Sequence, residues 1–195
     1  MKNYKYVLLL ISLLILNATT WANDDRLFML VSHCTVCHGP NGSSLGPATP
    51  TIAGMTPLTF VKAMEEFRDD ERPSTVMKHL AKGYNEEDYK IMANYFAKQQ
   101  SVPPRQTVDV EKMKRGAKLH KKYCEECHAN ESVYAAKSTI IVGQWMPYLR
   151  LTLDDFITGH RDLPLSVLKV IRVMLKAEGK ESIDDLIHFY ASQVE

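Results

Sequence analysis

The chain has 195 residues, with 24 Lys and Arg against 23 Asp and Glu and a hydrophobic share of 45%. A balance this close to neutral excludes the strongly basic face that nucleic-acid binding requires. The length suits one domain or two small ones, and four cysteines in an exported chain of this size would ordinarily mean disulfides.

Residues 1–22 have the layout of a cleaved secretory signal peptide. Lys2 and Lys5 precede an apolar run from Val7 to Leu16, and small and polar residues follow up to Ala22. An apolar core of about ten residues is too short to span a bilayer. The mature chain is therefore expected from Asn23, in the periplasm and not membrane-spanning. Losing the two lysines leaves 22 basic residues against 23 acidic ones.

From there the chain reads as helices and loops. A short helix over 25–34 leads into Cys34-Thr35-Val36-Cys37-His38. Phe60, Val61, Met64 and Phe67 form a helical stripe over 57–67. Asn85 with Asp88 predicts a capping box opening a helix over 86–99. Pro103 and Pro104 break helices and stiffen a connection. That places one domain at 23–102 and another at 108–195. Lys112, Lys114, Arg115, Lys118, Lys121 and Lys122 crowd the next helix, either as a surface steering an acidic partner or as a solvated face. Ser182 with Asp185 predicts a second capping box, for a helix over 183–192. No run alternates with period two, so the fold class is all-α.

The sequence is also written twice. Cys124-Glu125-Glu126-Cys127-His128 repeats the first pentapeptide 90 positions on, and Ile141-Val142-Gly143 matches Ile52-Ala53-Gly54 in the same order. Pro147 matches Pro57, and Phe189-Tyr190-Ala191-Ser192-Gln193 resembles Tyr95-Phe96-Ala97-Lys98-Gln99. Such order implies an internal duplication.

Two cysteines two residues apart, followed at once by histidine, are the signature of covalent haem attachment. Zinc and a redox disulfide are the rival readings. Two full copies favour two covalently bound haem c groups, held by Cys34 and Cys37 and by Cys124 and Cys127, with His38 and His128 as iron ligands. Covalent haem also stabilises a domain of about eighty residues whose own core is small. A sixth ligand suits electron transfer when it is methionine. Met77, 39 residues after His38 and preceded by Arg72-Pro73-Ser74-Thr75, is the candidate, since Met64 and Met92 sit on core stripes. The Pro50 carbonyl is a candidate acceptor for the second ring nitrogen of His38. In the repeat the matching position is Val167, which has no lone pair. Met174, His160, Met146 or no residue at all remain open there, so the two haems are expected to be inequivalent. Trp145 and Tyr148 are expected either beside a haem or in a core.

With these motifs in place, the chain resembles the dihaem cytochrome subunit of flavocytochrome c sulfide dehydrogenase. The resemblance runs from about Cys34 to Gln193. Its most specific stretches include Gly46-Pro47-Ala48-Thr49-Pro50-Thr51-Ile52-Ala53, Gly143-Gln144-Trp145 and Leu175-Lys176-Ala177-Glu178-Gly179. It implies two tandem class I cytochrome c domains, His38 and Met77 as the first haem's ligands, and a separate FAD-containing subunit that oxidises sulfide. Members of that family carry methionines where this chain has Leu163 and Val167. The chain itself has no dinucleotide fingerprint and is expected to be an electron-transfer subunit, not an enzyme, passing electrons on to a small soluble acceptor protein. The alternative is a free-standing dihaem cytochrome serving a terminal oxidase or reductase.

Overall fold

Helix α1 covers 25–38, so it carries the whole first pentapeptide instead of ending at Cys34. Nothing in Cys-Thr-Val-Cys-His breaks a helix. Helical spacing places Cys34, Cys37 and His38 on one side of the last turn. The computed structural model describes residues 25–125 and 141–193, and no strand occurs among them. The expected signal peptide lies outside the described residues.

After α1 come a 3-10 turn at Pro40–Gly42, α2 at Pro57–Arg68, the single turn α3 at Met77–Ala81, and α4 at Glu86–Phe96. Pro57 opens α2 at a position where a missing N–H costs nothing, and Thr56 Oγ1 accepts from Thr59 N at 3.3 Å. The box expected at α4 is present. Asn85 Oδ1 accepts from Glu87 N and Asp88 N at 2.9 and 3.0 Å, and Asp88 Oδ2 accepts from Asn85 N at 3.1 Å. Helices α1, α2 and α4 enclose Leu30, Val31, Phe60, Met64, Tyr89, Met92 and Phe96. Tyr89 is fully buried, and its hydroxyl donates to Ala81 O at 2.7 Å. That bond ties α3 to the core.

The second half repeats this plan with changes. Helix α5 spans Val110–Leu119 and runs into a π-helical turn at His120–Cys124. Helices α6 (Met146–Thr158), α7 (Leu165–Glu178) and α8 (Glu181–Ser192) follow. Leu119, Leu149, Met174, Leu186, Ile187 and Tyr190 form a separate core. Two devices recur from the first half. Gly54 N donates to Phe96 O at 2.8 Å and Gly143 N to Tyr190 O at 3.1 Å, each glycine at positive φ. Arg26 pairs with Asp88 at 2.9 Å, and Arg115 pairs with Asp185 at 2.7 Å.

The second capping box does not form. Ser182 lies inside α8 and its hydroxyl donates to Gly179 O, while Lys180 takes the N-cap position with no side-chain bond. Asp185 is claimed by the Arg115 guanidinium through two bonds of 2.7 and 2.8 Å. A bidentate charged contact between helices outweighs one local backbone bond. The basic face of α5 is likewise engaged at home. Lys112 pairs with Asp184, Lys114 with Glu111 and Lys122 with Glu178. The solvated-face reading of that helix therefore fits better than a dedicated steering surface.

Asp184 also receives Arg150, so it links α5, α6 and α8. Burial alone would raise its pKa, but hydrogen bonds from Lys112 and Arg150, with their charges, hold it down at about 2. A carboxylate depressed below its usual 3.8 adds stability above that value and loses it as pH falls toward the folded value. Asp184→Asn is expected to cost about 1 kcal/mol at neutral pH, allowing for surface screening. It should also flatten the acid-induced loss of stability. Urea denaturation of the variant and the parent, at neutral and acidic pH, checks both.

Candidate functional site

The best-defined site lies where α1 ends. Cys34 is partly buried, and its sulfur lies 3.8 Å from Met92 Sδ. Cys37 is exposed, and both are free thiols. Burial, then the neighbouring Cys37, pushes the Cys34 thiol up to about 11. That is the reverse of an activated nucleophile, whose thiolate must be favoured. His38 is 8% exposed, and its Nδ1 is 2.8 Å from Pro50 O. A carbonyl only accepts, so Nδ1 carries the proton and Nε2 keeps the lone pair. Burial lowers the His38 pKa and the Pro50 carbonyl partly restores it. The sequence-based expectation for Pro50 is thus met.

Around this centre the backbone is tightly held. Gly42 sits at φ 84°, and a Cβ there would lie 2.8 Å from the Phe96 ring and 2.9 Å from Ile52. Gly42 O accepts from both Ile52 N and Ala53 N. The loop from Ser43 to Ala53 is therefore folded back against α1, which brings the Pro50 carbonyl to His38. Met77 opens α3, half-buried against the first core, with Lys78 N bonded to Ser74 Oγ. Met64 and Met92 are core residues, as their stripes implied.

These residues fit a covalently bound haem. Two free thiols one helical turn apart precede an imidazole whose only spare nitrogen is Nε2. A thioether is available at Met77, and the apolar side chains of Val76 and Leu80 flank it. Among the described residues no group of three or more His, Cys, Asp and Glu side chains has the arrangement of a metal cluster.

The second site is described only in part. Cys124 ends the π-helical turn, near the Tyr190 hydroxyl, whose pKa is raised by burial and then by Cys124. Cys127 and His128 lie outside the described residues. Met174 is 2% exposed in the second core, and Met146 packs against that core from its edge. His160 is exposed, 3.1 Å from Thr158 Oγ1. Val167 is half-buried in the first turn of α7. No counterpart of Met77 stands at this position.

No family model matches the chain. It is 29% identical over 136 residues to cytochrome c4 of Pseudomonas aeruginosa, a match covering 66% of this chain and 68% of that one. It is 40% identical over 73 residues to the cytochrome subunit of sulfide dehydrogenase of Chlorobaculum tepidum, covering 37% of this chain and 66% of that protein. The fold superposes on reduced recombinant cytochrome c4 from Pseudomonas stutzeri with a TM-score of 0.73 at 20% identity, covering 88% of this chain and 98% of that one. This chain is a dihaem cytochrome c. Like these relatives, the cytochrome carries electrons and has no catalytic site of its own. No helix among the described residues is long and apolar enough to cross a membrane.

What sequence reasoning missed in this cytochrome is the seam between its halves. Trp145 and Tyr148, expected beside a haem or in a core, reach across it. Trp145 Nε1 donates to Ser44 O at 3.1 Å, and Arg72 donates to Tyr148 OH at 3.3 Å. Arg72 lies over the Phe67 ring and Arg161 over the Phe156 ring, at 4.6 and 4.5 Å from the centroids. Arg161 also approaches Glu66 at 3.8 Å. Burial, then the nearby Arg72, pulls Arg161 down to about 10. Gln144 is buried in the seam, at 1% exposure. Its traces in the sequence are its place after the Gly143 turn and within the Gly143-Gln144-Trp145 stretch.

Proposed function

We propose that this cytochrome is the electron-accepting subunit of a periplasmic sulfide-oxidising complex whose FAD lies on a partner chain. The observation that carries this reading is the 40% identity to a cytochrome subunit of sulfide dehydrogenase. In this reading domain one spans 23–102, domain two 108–195, and a signal peptide over 1–22 directs export. Cys34 and Cys37 would tether the first haem, and His38, through Nε2, and Met77 would supply ligands to its iron. Cys124, Cys127 and His128 do the corresponding work in the second half. When bound, the haems supply one-electron redox chemistry, and the protein orients and tunes them.

The test is purification of the native protein. A flavin-bearing chain is expected to co-purify, and sulfide is expected to reduce the haems only in its presence. A cytochrome that purifies alone and is indifferent to sulfide even with its neighbouring flavoprotein would sink the reading. The second reading is a free-standing dihaem carrier serving an oxidase or reductase. It is favoured by the cytochrome c4 match, which covers a larger share of this chain.

A further inference from the structure

The peptide group joining Pro50 to Thr51 is engaged on both edges. Its carbonyl accepts from His38 Nδ1 at 2.8 Å. Its N–H donates to Gln144 Oε1 at 2.9 Å, and Gln144 Nε2 donates back to Thr51 O at 2.8 Å. Thr51 and Gln144 are each 1% exposed, so water does not compete for these bonds. The partners are 93 positions apart. One belongs to the loop serving the first haem motif and the other to the turn that closes the second core.

Gln144 is itself held in place. Its backbone carbonyl accepts from Gln106 Nε2 at 2.8 Å, Gly143 N bonds to Tyr190 O, and Trp145 reaches Ser44. The side-chain amide thus has a fixed position relative to both halves. A peptide N–H that donates to an acceptor shifts electron density toward its own carbonyl oxygen, and hydrogen bonds in such a chain strengthen one another. A stronger acceptor at Nδ1 makes the imidazole a stronger donor through Nε2.

We propose that Gln144 is a positioning residue for His38, through which the second half of the chain sets the electron-donating strength of the first haem's histidine. A stronger imidazole donor favours ferric over ferrous iron. The intact relay therefore holds the first haem's potential below the value it would otherwise have. The inference rests on His38 as iron ligand, which is checked separately by loss of the first haem's low-spin spectrum in His38→Ala.

The experiment is a spectrally resolved redox titration of the intact dihaem protein. Gln144→Met keeps the length and apolar bulk of the side chain but offers Thr51 N–H no oxygen. The first haem's potential is expected to rise, with a smaller change at the second. Trp145→Phe removes a neighbouring seam bond that does not touch the Pro50–Thr51 peptide, and it should leave the first potential near the parent value. Equal shifts in the two variants, or none in Gln144→Met, would overturn the proposal, even where His38→Ala confirms the ligand. If Gln144→Met does not accumulate as folded protein, Gln144→Glu decides. Its carboxyl still accepts from Thr51 N–H, and the first potential should drop further with rising pH than in the parent, as the new group ionises. A parent-like pH profile would overturn the relay.

Discussion

Met77→Leu is expected to leave the first haem attached through Cys34 and Cys37 while abolishing its six-coordinate, low-spin state. Leucine matches methionine in bulk, so the half-buried start of α3 can still pack against the first core. What disappears is the sulfur lone pair. The potential of that haem should fall by on the order of 100 mV, a fraction of the roughly 0.8 V span that axial ligands command, and carbon monoxide should bind it. The second haem should keep the parent's behaviour, because Val167 stands at the position matching Met77. A titration of the parent should already resolve two unequal centres. Unchanged spectra and potential at the first haem in Met77→Leu would remove Met77 from the ligand set.

Gly116→Val is expected to cost about 3 kcal/mol, at the upper end of what overpacking usually costs. Helix α5 crosses α8 so closely here that a Cβ on Gly116 would lie 2.1 Å from Asp185 O and 2.7 Å from Phe189 Cβ. The obstacle on one side is backbone, which cannot swing away as a side chain can. Helix propensity favours valine over glycine by only a few tenths of a kcal/mol. The helices must therefore separate, and the bidentate Arg115–Asp185 contact beside the crossing should loosen with them. Denaturant unfolding followed at the second half checks this. A loss of less than about 0.5 kcal/mol, the usual scale of a surface substitution, would mean that the crossing relaxes easily.

Much of the site around His38 was legible because its determinants are local. The pentapeptide, the Asn85–Asp88 box and the core stripe through Phe60 and Met64 each depend on residues a few positions apart. The end of α1 was misplaced for the same reason in reverse. A haem motif reads as a special segment, yet its residues have no reason to leave a helix, and the helix continues to 38. Ser182 and Asp185 failed as a capping box because the competitor, Arg115, is 70 positions away. The seam was invisible on the same ground. Gln144, Trp145, Arg72 and Arg161 follow no period, and their partners lie in the other copy of the repeat.

The bonds across the seam bear on how this duplicated chain could be divided. A fragment ending near residue 102 would keep its own core, from Leu30 to Phe96, and its own histidine. It would lack an acceptor for Thr51 N–H and the donor to Ser44 O, both supplied by the other copy. The two copies of the repeat are thus joined into one unit. Neither copy can be transplanted, swapped or deleted without altering a hydrogen bond that the other depends on.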